Sequence, residues 1–177
     1  MVIGALTSSQ HDGKLSGLWR AGVFPGVESS GVPRQTLNRP ESAQGMITYD
    51  QPRVLLVDDN ASVLEHAAAT LSSACVVVGA VKDGKAALES VNRLHPDVIV
   101  LDISMPGMSG LEVASRLRRA GSTIPIVFLT IHDDEELVRA TQAAGGIGYV
   151  VKTLLSSDLL VAVNSACAGK RYVSQLR

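Results

Sequence analysis

Four apolar runs of this sequence end on polar residues that can do chemistry together. Arg53-Val54-Leu55-Leu56-Val57 runs into Asp58-Asp59, and Asp97-Val98-Ile99-Val100-Leu101 runs into Asp102. Ile126-Val127-Phe128-Leu129 ends on Thr130, and Tyr149-Val150-Val151 ends on Lys152. In open α/β sheets, ligands bind outside the carboxyl ends of the strands, where such residues converge. Carboxylates held close raise one another's pKa unless a cation neutralises them. A hard cation with oxygen ligands suits them, and Mg²⁺ characteristically takes one or two carboxylates plus waters and phosphate oxygens. With the charge balanced, one carboxylate can attack a phosphoryl group and form an aspartyl phosphate. Lys152 and Thr130 then offer a positive charge and a hydroxyl to the phosphoryl oxygens. Plainer readings stand beside these. Asp102 can simply start a turn, Asp58 and Asp59 can cap a helix, and Lys152 can be a solvated strand end.

The elements that must position these residues alternate in type. Strands are expected at 53–57, 76–80, 97–102, 126–130 and 149–152. Between them lie helical patterns at Ala61–Ser72 and Lys85–Leu94, then from the Ser109/Glu112 capping box to Arg119, and at Asp133–Ala144. Ser157 is expected to cap a last helix, Asp158–Ala168, ended by Gly169. The Asp133–Glu136 acids suit a helix N-terminus. Five βα units in about 125 residues argue a doubly wound parallel α/β sheet with five helices.

Residues 1–50 read differently. Gly, Pro and Ser make up about a third of them, with four basic residues (Lys14, Arg20, Arg34, Arg39) against four acidic ones. We expect a disordered N-terminal extension over 1–50, with a short helix near Leu15–Ala21; the less favoured alternative is a partner-binding tail anchored by Trp19. Met46 is a second candidate start of translation. The 177-residue chain is 46% hydrophobic with a net charge of −1, which points to neither a nucleic-acid nor a membrane surface. No apolar run reaches the ~20 residues of a membrane span, and no secretory leader is evident. Cys75 and Cys167 form no metal motif and read as reduced thiols in buried elements of a cytoplasmic protein.

From about Arg53 to Val173 the chain resembles the receiver domain of bacterial two-component response regulators. The residues that carry the resemblance are Leu55-Leu56-Val57-Asp58-Asp59, Leu101-Asp102-Ile103-Ser104-Met105-Pro106-Gly107-Met108-Ser109-Gly110, Leu129-Thr130 and Gly148-Tyr149-Val150-Val151-Lys152. The resemblance implies a flavodoxin-like receiver domain over 51–177. Its strand order, 2-1-3-4-5, is that of the family's chemotaxis member and is carried over rather than read from the pattern.

Position by position, the resemblance implies that Asp102 accepts phosphate from the phosphohistidine of a sensor histidine kinase or phosphotransfer protein. Asp59, Asp102 and the backbone carbonyl of Ser104 then ligate Mg²⁺, Asp58 holds it through water, and Lys152 contacts the phosphoryl group. Thr130 and Tyr149 act as the switch, moving the surface of the fourth helix, fifth strand and fifth helix. His95 and His132 read as helix-end and loop residues. A homodimer on phosphorylation is compatible with the family.

Two departures stand out. Thr153 follows the lysine where many members have Pro, as in the branch that often carries a helix-turn-helix output domain. Ile131 stands where many have Ala or Gly, and its bulk is expected to slow phosphoryl turnover. Only a few residues follow the segment Ala168–Ser174, so a stand-alone or truncated receiver without direct DNA binding is expected. Two other classes compete. A pseudo-receiver that never takes phosphate has no need of the complete acid set. A dehalogenase-like phosphatase wants a second Asp where this chain has Ser104.

Overall fold

Burial on both faces, more than local propensity, organises the central strands of the sheet. The computed structural model describes residues 51–175, so the readings made for residues 1–50 lie outside the described residues. Strands β1 (Arg53–Val57), β2 (Val76–Val81), β3 (Val98–Asp102), β4 (Ile126–Thr130), β5 (Gly148–Val151) and β6 (Tyr172–Val173) form one parallel sheet in the order β2-β1-β3-β4-β5-β6. The expected 2-1-3-4-5 order holds. A sixth strand, pairing Tyr172 with Gly148 and Val173 with Tyr149, extends the sheet beyond that order. Two residues are too few to show a strand period.

Helices α1 (Ala61–Leu71), α2 (Gly84–Leu94), α3 (Gly110–Arg119), α4 (Glu135–Ala143) and α5 (Leu155–Cys167) cover both faces. On one face, Val54, Leu56, Val100, Leu129 and Val150 pack with Leu64 and Leu71 of α1 and Leu159 and Val163 of α5. On the other, Leu55, Val57, Leu101, Phe128 and Tyr149 pack with Val91 of α2 and with Val113 and Leu117 of α3. β1, β3 and β4 are thus buried on both sides, which is why they read as unbroken apolar runs.

Helix starts follow side-chain caps. Asn60, not Asp58 or Asp59, caps α1 by accepting the Ser62 N–H, and Asp83 caps α2. Ser109 accepts the Glu112 N–H at 3.3 Å, while the Glu112 carboxylate pairs with Arg116 at 2.7 Å. Asp134 caps α4, so the helix begins at Glu135 rather than Asp133.

Three expectations are corrected. Ser157 lies inside α5, which follows directly on a 3₁₀ turn (Lys152–Leu154) and has no side-chain cap. The Ser157 hydroxyl donates instead to Leu154 O and Asp158 Oδ1. Lys152 belongs to that turn and not to β5. Cys75 is buried as expected, but Cys167 is exposed, because it lies one position past the buried stripe Leu155, Leu159, Ala162, Val163 and Ala166.

Candidate functional site

The carboxyl ends of β1, β3, β4 and β5 bring Asp58, Asp102, Thr130 and Lys152 to one edge of the sheet. Asp102 is the last residue of β3, and Asp58 follows β1, its N–H donating to Val81 O. α3 starts beside them because Gly110 donates to Ile103 O at 2.9 Å.

Asp58 and Asp102 are buried and held alike. The Asn60 N–H donates to Asp58 Oδ1 at 2.9 Å, and the Ser104 N–H donates to Asp102 Oδ1 at 3.3 Å. Both second oxygens face the ammonium of Lys152, 2.7 Å from Asp58 Oδ2 and 3.1 Å from Asp102 Oδ2. Asp59 is exposed, yet one oxygen from each of Asp58, Asp59 and Asp102 lies within 4.8 Å of the others. Burial raises the Asp102 pKa, and the neighbouring Asp58 charge adds to that. Lys152 and the Ser104 N–H oppose it. Burial alone would lower Lys152, but its contacts with Asp58 and Asp102 outweigh it and hold the ammonium above its usual value.

This donor set fits a divalent metal. It is all oxygen, with three carboxylates close together and a single ammonium, Lys152, on two of them. Asp58 Oδ2 is wholly buried, and its 2.7 Å contact with Lys152 is an ion pair without hydrogen-bond geometry. A hard cation relieves this excess of negative charge.

Thr130 and Tyr149 lie beside each other and both bond to the backbone of His132. The His132 N–H donates to Thr130 Oγ1 at 3.1 Å, and the Tyr149 hydroxyl donates to His132 O at 2.8 Å. The Tyr149 ring is buried, which raises its pKa against the opposing Thr130 hydroxyl. Ile131, between them in sequence, is 67% exposed. Every side chain nominated from the sequence therefore lies at this edge or on the strand beside it. The part of His132 is played by backbone atoms, which no residue type announces.

A parallel sheet of this order, with an acid cluster and a lysine at its carboxyl edge, defines a receiver-type α/β domain. The chain belongs to the response regulator receiver domain family, whose pattern matches residues 54–164. It is 33% identical over 132 residues to the nitrate/nitrite response regulator protein NarL of Escherichia coli, covering 73% of this chain and 61% of that protein. It is 36% identical over 125 residues to NarP of the same organism, covering 70% and 58%. Among solved structures, the signal receiver domain of a NarL regulator from Mycobacterium tuberculosis superposes with a TM-score of 0.65 at 31% identity, covering 68% of this chain and 98% of that one. A LuxR-family regulator from Aurantimonas gives 0.66 at 27% identity, covering 69% and 89%. The chain thus spans about 60% of the length of the curated relatives it matches. Among the described residues, no helix is long and apolar enough to cross a membrane.

Proposed function

We propose that this chain is a phosphoacceptor in a two-component signalling system. Asp102 takes a phosphoryl group from the phosphohistidine of a sensor histidine kinase or phosphotransfer protein. The observation that supports this most is the shared ion pair. Lys152 faces Oδ2 of both Asp58 and Asp102, with Asp59 close by.

An Asp102 carboxylate oxygen attacks phosphorus, the P–N bond of the donor breaks, and the imidazole leaves with the bond electrons and takes up a proton. Lys152 is placed to offset charge on the phosphoryl oxygens, and Thr130, whose oxygen accepts from the His132 N–H, to donate its hydroxyl proton to them. Asp58, Asp59, Asp102 and the Ser104 carbonyl would hold Mg²⁺, which when bound neutralises charge on the transferring group. Hydrolysis of the acyl phosphate returns Asp102 to its starting state, so the only reactions catalysed are on the protein itself. The charge change at Asp102 biases Thr130 and Tyr149 and hence the surface beside them. We place this chemistry in the cytoplasm and route its output through protein contacts, with no DNA contact by the described residues.

The test is incubation with Mg²⁺ and acetyl phosphate, followed by intact mass. Wild type should gain one phosphoryl group and Asp102→Asn none. A wild-type protein that stays unmodified favours the pseudo-receiver reading. Sequence-specific retardation of DNA by residues 51–175 would overturn the absence of DNA contact.

A further inference from the structure

The sixth strand belongs to a strap that the phosphoacceptor chemistry does not use. After α5 the chain turns back, with Lys170 N–H donating to Ser165 O at 2.8 Å. It then lies along the outer edge of β5, where Tyr172 N–H donates to Ile147 O at 3.1 Å and Ser174 N–H donates to Tyr149 O at 2.9 Å. Ser174 is buried, and its hydroxyl donates to Asp158 Oδ2 of α5 at 2.5 Å. Tyr172 also lies beside that carboxylate. Without the strap, β5 would present an unpaired edge.

What matters is which residue the strap grips. Tyr149 is held at both ends: its hydroxyl donates to His132 O, and its carbonyl accepts from Ser174. His132 in turn donates to Thr130 Oγ1. A continuous run of hydrogen bonds thus leads from Thr130, beside Asp102, through His132 and Tyr149 to Ser174 and Asp158. Tyr149 is among the largest fully buried side chains. In a close-packed interior its ring cannot shift without the β5 backbone adjusting. A two-residue strand is the part of the sheet least able to resist that adjustment.

We infer that the strap Lys170–Ser174 reports the state of Thr130 and Tyr149, loosening when their shared grip on His132 is broken. The device carries the state of the acid cluster out along the chain's C-terminal segment. Its link to phosphorylation rests on the proposed function, whereas its link to Thr130 does not. Asp158 is the clasp that sets the strap's resting stability.

Hydrogen exchange of the Tyr172 and Ser174 amides tests this, with β2 (Val76–Val81) at the far edge as the internal control. Asp158→Ala marks the exchange of a released strap. In Thr130→Val and Tyr149→Phe, strap exchange should rise about fivefold or more while β2 is unchanged. Strap exchange that stays at the wild-type rate in both variants, or rises only in step with β2, overturns the inference. A second arm uses wild type with Mg²⁺ and acetyl phosphate, its modification read first by mass. Modified protein with altered strap exchange supports the device, and modified protein with unaltered exchange sinks it. Protein that takes no phosphoryl group counts against the proposed function instead, and the Thr130→Val comparison still decides the strap.

Discussion

Gly110 sits against the backbone of Asp102 so closely that a side chain there has nowhere to go. A Cβ at Gly110 would lie 2.0 Å from the Asp102 carbonyl oxygen and 3.1 Å from Ile103 Cα. The obstacle is backbone, so no rotamer change relieves it. Gly110→Ala should push α3 away from the end of β3 at a cost of about 1–3 kcal/mol, the range of overpacked sites. Because the displaced carbonyl belongs to Asp102, phosphorylation by acetyl phosphate should slow as well. A urea midpoint equal to wild type would show that α3 can move freely.

Lys152 is the sole cation that the two buried carboxylates touch among the described residues, at 2.7 and 3.1 Å. Lys152→Met leaves Asp58 and Asp102 buried and unpaired. Removing one partner of a buried ion pair costs about 3–5 kcal/mol. In chelator the variant should lose stability on that scale, and added Mg²⁺ should restore part of it. A Tm that ignores both the substitution and Mg²⁺ would contradict the electrostatic account of the site.

The pH dependence at Asp102 has a definite sign. Burial and the Asp58 charge raise its folded pKa above 3.8, so the folded state holds this proton more tightly than the unfolded state. Stability from Asp102 is therefore greatest below that value and falls as pH rises to the folded pKa. At neutral pH in chelator, Asp102→Asn should raise the urea midpoint, Lys152 keeping its contact with Asp58. The gain should shrink as pH is lowered through the window above 3.8, where wild type itself takes up the proton. A midpoint that falls at neutral pH would reverse the sign argued here.

The sheet and the acid cluster were legible because they are written in side-chain types. Runs such as Val98–Leu101 announce strands buried on both faces, and each ends on the residue that the site needs. Helix starts were legible only where the cap was local and unambiguous, as at Ser109. Ser157 has the residue type of a cap, but the 3₁₀ turn Lys152–Leu154 runs straight into α5 and leaves that serine inside. The strap and the His132 bridge were not legible, since both are made by backbone groups brought together through long-range pairing.

Ile131 is the large apolar side chain most exposed at the site, 67% open to solvent next to Thr130. Its bulk, beside the strand end that carries Thr130, is expected to restrict the approach of water to a phosphorylated Asp102. Ile131→Ala should shorten the lifetime of the acyl phosphate several-fold, with little change in stability because the side chain is exposed. Decay of the modified mass with time measures it. Equal lifetimes would mean that access is set elsewhere.

Arg118 is a charged staple at the end of α3, away from the acid cluster. Its guanidinium donates to Ser122 O at 2.8 Å and to Ile124 O and Gly145 O at 2.9 Å. It ties the end of α3 to the turn between α4 and β5, where Gly145 adopts φ +87°. Burial lowers its pKa, yet the planar fork satisfies three carbonyls at once, which a lysine ammonium on a different stem cannot match. Hydrogen bonds to charged groups contribute about 1.5–3 kcal/mol each. Arg118→Lys should therefore cost about 2–3 kcal/mol despite keeping the charge, and Arg118→Ala more, as read from urea midpoints. If Lys restored full stability, charge rather than the geometry of the fork would be what holds this turn.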